Sequence, residues 1–124
     1  MILSKTVEKF TKEFDFTEGI VSEAKWDSNL MDLLISIHYF WDEHKNRNLI
    51  VRLKNCIEAE FSMPKVYEKI PENELKNYTY SWYTITSYDA QENNGSIKIG
   101  IKTIDYDSNW LTATCKEIWV ENED

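Results

Sequence analysis

Between Met31 and Trp41 every second residue is apolar: Met31, Leu33, Ile35, Ile37, Tyr39 and Trp41. A second run follows in Leu49, Val51, Leu53, Ile57, Ala59 and Phe61, again of one parity. A period of two places each set on one face of a β-strand. The break between them, Asp42-Glu43-His44-Lys45-Asn46-Arg47-Asn48, is polar and reads as a solvated loop. The region therefore predicts a long antiparallel hairpin with one face on a core, and the chain is β-rich.

The remaining elements agree. Residues 20–26, 78–88, 97–102 and 110–121 read as further strands, and the 5 Trp and 7 Tyr of the chain suit pleated, half-buried surfaces. Asn93-Asn94-Gly95 predicts a tight hairpin turn, because Asn and Gly tolerate positive φ. Leu111, Ala113 and Cys115 change parity to Ile118 and Val120, which predicts a bulge near Lys116-Glu117. Leu3, Val7, Phe10 and Phe14 form the narrow stripe of a helix over residues 3–14, with Glu8 and Lys12 as an i,i+4 pair. So short a helix must dock on something. The mixed second face of residues 30–40 (Leu30, Asp32, Leu34, Ser36, His38 and Phe40) is its expected seat. Residues 63–77, with Pro64 and Pro71, read as a crossover. The expected architecture is mainly β (α+β), one domain over residues 1–124. About six antiparallel strands over residues 20–121 make a meander, small sandwich or partial barrel, with one N-terminal helix.

The net charge of −8 disfavours nucleic acid and anionic membrane surfaces and is compatible with simple solubility, the first reading, or with a basic protein partner. No stretch approaches the roughly 18 apolar residues of a membrane span. Met1-Ile2-Leu3-Ser4-Lys5 lacks the form of a signal peptide. A cytoplasmic location is expected, with Cys56 and Cys115 as free thiols and Cys56, on the polar parity, the more exposed. No basic cluster marks either cysteine as a nucleophile.

With 3 Gly and no Gly-rich loop, Cys-x-x-Cys or His-x-x-x-His, no cofactor is expected. Asp105-Tyr106-Asp107-Ser108-Asn109 imitates the start of a calcium loop, but Trp110 stands where the turn needs Gly and Lys116 where it needs an acid. It reads as a polar turn, and no metal is expected. Glu58 and Glu60 share a strand face, where Arg52 and Lys54 of the same parity would neutralise them. That is a solvated face rather than an acid–base pair. His38 reads as a packed residue and His44 as a loop residue, so no catalytic residue is expected. Tyr78, Tyr80, Trp82 and Tyr88 share one parity, Tyr83 and Ile85 the other. One of these faces is core and the other shows its rings to solvent or to a partner.

The short N-terminal helix is followed by Gly19-Ile20-Val21, Asp32-Leu33-Leu34-Ile35-Ser36-Ile37 and Leu49-Ile50-Val51-Arg52-Leu53. Leu111-Thr112-Ala113-Thr114-Cys115-Lys116-Glu117-Ile118-Trp119-Val120 closes the series. Over most of the chain this order resembles, in pattern, small bacterial proteins grouped with polymorphic-toxin immunity proteins or with uncharacterised β-meander proteins. The resemblance implies a cytosolic protein that blocks a toxin and has no active site of its own. It carries no shared motif, so no site residues transfer. The expected function is a non-enzymatic protein-binding module, with Asp42, Glu43, Glu58, Glu60, Tyr80, Trp82 and Tyr88 as contacts to a basic partner. Two other classes stand open. One is a small-ligand protein or enzyme with His38, Tyr39, Trp41 and Tyr83 lining a pocket in the sheet. The other is a structural subunit that self-assembles through a strand edge.

Overall fold

A computed structural model describes residues 2–39, 47–62, 73, 83–104 and 108–122. Among them the chain order is β1 (Ile2–Ser4), α1 (Val7–Lys12), β2 (Ile20–Trp26), β3 (Leu33–Tyr39), β4 (Arg47–Lys54), β5 (Glu58–Phe61), β6 (Ile85–Asn93), β7 (Ser96–Thr103), β8 (Leu111–Cys115) and β9 (Glu117–Asn122). The strands form two antiparallel sheets, ordered β1-β9-β4-β3-β2 and β5-β8-β7-β6, and do not close a barrel.

Parity decides what faces inward. Leu33, Ile35 and Ile37 of β3, Leu49, Val51 and Leu53 of β4, and Ile118 and Val120 of β9 meet Ile97, Ile99 and Ile101 of β7 and Leu111, Ala113 and Cys115 of β8 in one buried cluster. The expected hairpin is present in register, Leu33 opposite Leu53 through Tyr39 opposite Arg47. The β6–β7 hairpin turns at Asn94 (φ 54°) and Gly95 (φ 80°), as the Asn-Gly pair predicts.

The strand count has a physical cause. Two long strands bend from one sheet into the other. Residues 47–61 become β4 and β5 by way of Asn55 (φ 50°), and residues 111–122 become β8 and β9 at Lys116, where the parity change predicted a bulge. The bends coincide: Lys116 N–H donates to the Lys54 carbonyl (2.9 Å) and Ile57 N–H to the Thr114 carbonyl (2.9 Å). This corner joins the sheets on one side. On the other side they touch at the Ile20–Thr84 bridge. There Glu18 N–H donates to the Ile85 carbonyl, Ile85 N–H to Gly19 and Val21 N–H to Tyr83. Of the expected strand over 78–88, residues 78–82 lie outside the described residues.

Several expectations are corrected. Ile2–Ser4 is a strand paired with β9, not the start of the helix. The helix begins only after Thr6, whose side chain caps Lys9 N–H (3.1 Å). The helix packs toward β9 and β6 rather than on the second face of β3, and it buries Phe10. Leu34 and Ser36 on that second face are nonetheless buried. Cys56 is buried, because the bend at Asn55 turns it inward. Met31, Ile57 and Phe61 keep the apolar parity yet are exposed, since Met31 precedes β3 in a turn, Ile57 lies between the corner and β5, and Phe61 ends the edge strand β5. The Glu8–Lys12 pair forms (3.3 Å) on the open face of the helix.

Candidate interaction surfaces

Of the expected partner contacts, Asp42, Glu43, Tyr80 and Trp82 lie outside the described residues. Glu58 and Glu60 are exposed on β5, the edge of the four-stranded sheet. The neutralisation expected from Arg52 and Lys54 does not occur, because the corner carries the glutamates into the other sheet. Tyr88 is not a free aromatic anchor. Its ring stands edge-on to Phe10 (5.3 Å) and Phe16 (5.6 Å). Its hydroxyl donates to the Phe14 carbonyl (2.7 Å) and accepts from Phe16 N–H (3.4 Å). Burial pushes its pKa up. It pins the segment that follows the helix.

A groove of about 430 Å³ opens where β2 leaves the other sheet, lined by Val21, Ser22, Glu23, Ala24, Phe61, Ser62, Tyr83 and Trp110. Local structure explains it. A bulge between Val21 and Glu23 keeps both Val21 and Ala24 on the inner parity, opposite Ile37 and Ile35. Past the bridge nothing among the described residues pairs with the outer edge of β2. Trp110 is held by its N–H to the Ile101 carbonyl (2.8 Å), and its carbonyl accepts from Ser62 N–H (2.8 Å). Phe61 (5.4 Å) and Tyr83 (5.8 Å) stand edge-on to its ring. Glu23 on the groove wall pairs loosely with Lys25 (3.0 Å), and both are more than half exposed. Glu58 and Glu60 stand on the face of β5 opposite Phe61. Sequence reasoning placed Trp110 in the last strand and missed this groove. The signal was the coincidence of aromatics at strand ends.

The outer face of the five-stranded sheet carries an ion network. Arg52 donates to Asp27 (2.7 Å), Asp32 (3.0 Å) and Glu121 (3.1 Å), and Lys54 reaches Asp32 (3.2 Å). Asp32 is 1% exposed, and its other oxygen accepts from Asn55 N–H at the corner (3.0 Å). Lys54 and Lys5 lie over the Trp119 ring at 4.7 and 4.8 Å. The Arg52 hydrogen bond holds the Asp27 carboxyl below its ordinary range. Burial pushes Asp32 up, but Asn55 N–H, Arg52 and Lys54 outweigh it and hold this carboxyl low as well. Burial also works against the charge on Arg52, and the three carboxylates more than offset it. Asp27, Asp32 and Arg52 are each held in the charged form, so none of the three offers a proton for transfer near neutral pH. The network braces the β2–β3 turn, the corner and β9.

Of the residues expected to line a ligand pocket, the described ones, His38, Tyr39 and Tyr83, are not brought together. His38 and Tyr39 are neighbours on β3 and face opposite sides. Tyr39 is buried against Phe14 (6.2 Å) and Phe16 (5.4 Å), with its hydroxyl accepting from Asp15 N–H (3.3 Å). Trp41 lies outside the described residues, and Tyr83 lines the groove. The space between the sheets is filled by fully buried side chains such as Ile35, Leu49, Leu53, Ile99 and Leu111. Both cysteines are free and buried. Burial, with the Cys56 thiol nearby, pushes Cys115 up to about 12, which keeps it a thiol and a poor nucleophile. Asp105 and Asp107 of the calcium-loop imitation, like His44, lie outside the described residues, and Asn109 donates to Thr112 (3.2 Å). Among the described residues no three His, Cys, Asp or Glu converge as metal ligands, and no helix is long and apolar enough to cross a membrane. No family model matches the chain, and no curated protein matches it.

Proposed function

We propose that this chain is a non-enzymatic protein-binding module that covers a basic surface of its partner, in the manner of an immunity-type inhibitor. The groove between β2 and β5 supports this reading. It is an apolar cleft walled by Ala24, Phe61, Tyr83 and Trp110, with Glu23 in its wall and exposed acids on the adjoining edge strand. Aromatic rings at a desolvated centre supply most of the energy of such interfaces, and acids around them set the on-rate and the choice of partner. The net charge of −8 points to a basic partner.

The test is affinity capture from host lysate at low and high salt, with bound proteins identified by mass spectrometry and then purified. One dominant basic protein, released by salt and bound far more weakly by Phe61→Ala and by the triple variant Glu23→Lys, Glu58→Lys, Glu60→Lys, is the expected result. Failure to retain any specific protein at low salt would overturn the reading.

A second reading has one observation in its favour: about 430 Å³ lies within the usual range of small-molecule sites. A small molecule that raises the Tm of the native protein and loses that effect in Phe61→Ala would move the assignment to it.

A further inference from the structure

We infer that the turn between β2 and β3, residues 27–32, is a preformed apolar plug for a cleft on a basic protein partner. The inference rests on the proposed protein-binding function.

Four of the six exposed large apolar side chains among the described residues gather at this end of the molecule: Trp26 (44% exposed), Leu30 (78%), Met31 (53%) and Ile57 (69%). The Met31 carbonyl accepts from Cys56 N–H (2.7 Å), which sets Ile57 beside the turn. Leu30 at the apex sits in the left-handed region, at φ 60°. Among the described residues this conformation otherwise falls to Asn55, Asn94, Gly95 and Glu18. Leucine is a poor choice there. Its Cβ crowds the following carbonyl, and its side chain gains no burial in return. Glycine or asparagine would serve the turn better.

The strain is nevertheless held firmly. Leu30 N–H donates to the Asp27 carbonyl (2.9 Å), and Asp27 N–H to the Asp32 carbonyl (2.8 Å). Ser28 N–H donates to the Asp27 carboxylate (2.7 Å). Met31 and Asp32 N–H both donate to the Asn29 side chain (2.9 and 3.2 Å). Arg52 then clamps Asp27 and Asp32 together at the base. A strained conformation persists where its surroundings over-determine it, and such places cluster at binding sites. A large apolar side chain already fixed in position loses little freedom when it enters a pocket. What explains a leucine here is a contact outside the molecule.

The occupant follows from charge. A second copy would bring two chains of net charge −8 together, and an anionic membrane would repel the same charge. A basic protein gains from both the charge and the plug. Lys116 also lies at the corner, so this preference comes from the whole chain rather than from the turn.

The experiment places a benzoylphenylalanine photocrosslinker at position 30 and, as control, at Gln91 on the far sheet. The protein captured in lysate is purified and titrated against the parent chain, Leu30→Gly, Leu30→Asn and Met31→Ser. The expected result is one basic protein crosslinked from position 30 and not from 91. Its affinity falls about 30-fold or more in each variant, while the Tm of Leu30→Gly and Leu30→Asn does not fall. A partner that salt-dependent capture identifies, yet binds all three variants like the parent, overturns the plug and leaves the binding-module reading standing. Absence of any partner in that capture overturns both. Crosslinks between two copies of the chain overturn the plug in favour of self-association.

Discussion

The β6–β7 turn and the β2–β3 turn reverse the chain with opposite materials. The first uses Asn94 and Gly95, residues that accept positive φ, and a Cβ on Gly95 would meet nothing within 4 Å. Its cost to folding is small, and it offers a partner no apolar side chain. The second puts Leu30 into the same region of φ and surrounds it with side-chain hydrogen bonds and a buried ion network. One turn is optimised for folding. The other spends hydrogen bonds and charges on a conformation that local preference opposes, and the difference marks where the molecule is shaped by something besides its own stability.

The comparison can be broken most forcefully at Asp32. Asp32→Ala takes one of three carboxylates from Arg52, takes the carboxylate partner from Lys54 and strips the acceptor from Asn55 N–H. A loss of about 2–3 kcal/mol in urea denaturation is expected, the scale of hydrogen bonds to a charged group. Next comes acid. Asp27 and Asp32 both titrate below their ordinary range. The stability they contribute is therefore complete above the unfolded aspartate pKa of about 3.9, and it is lost as pH falls through their lower folded values. Urea midpoints followed from about pH 6 down to about pH 2 should fall steeply at the acid end, and less steeply in Asp32→Asn. A parent curve no steeper than the variant's would remove the network as the brace of this turn. The third change is Gly95→Ala, which puts a side chain into the left-handed region with open space around it. It should cost about 1–2 kcal/mol from backbone strain alone. The smallest change is the most telling. Leu30→Gly should alter stability by less than about 1 kcal/mol and in the opposite direction, toward greater stability, because relieved strain is offset by the entropy of glycine in the unfolded chain. Clear destabilisation by Leu30→Gly would mean that Leu30 supports the fold, and the contrast between the turns would fail.

Much of this fold is written locally. The parity of Leu33–Tyr39 and Leu49–Leu53, the Asn-Gly turn and the parity change at Lys116 each announce an element within a few residues, and each is where it was expected. The corner at Asn55 is not announced, because Leu53 and Ile57 keep one parity across the bend. Leu3 and Val7 imitate helical spacing, yet Leu3 sits in a strand whose partner is more than a hundred residues away in β9. The ion network joins Asp27, Asp32, Arg52 and Glu121, which only the pairing of three strands brings together. Of the candidate surface, the exposed glutamates of β5 were legible from strand parity. The groove was not, because Tyr83 and Trp110 enter it from outside the strands.

The position of β9 has a consequence for how the chain reaches this state. It lies between β1 and β4, inside its sheet, although it is the last strand described in sequence. Until residues 117–122 leave the ribosome, β1 has no partner and β4 carries an open edge. Early hairpins can form on their own, but these distant pairings must close large loops, which slows folding and exposes apolar edges meanwhile. Completion of the five-stranded sheet thus waits for residues 117–122, and a chain stalled just short of residue 117 would be prone to aggregation.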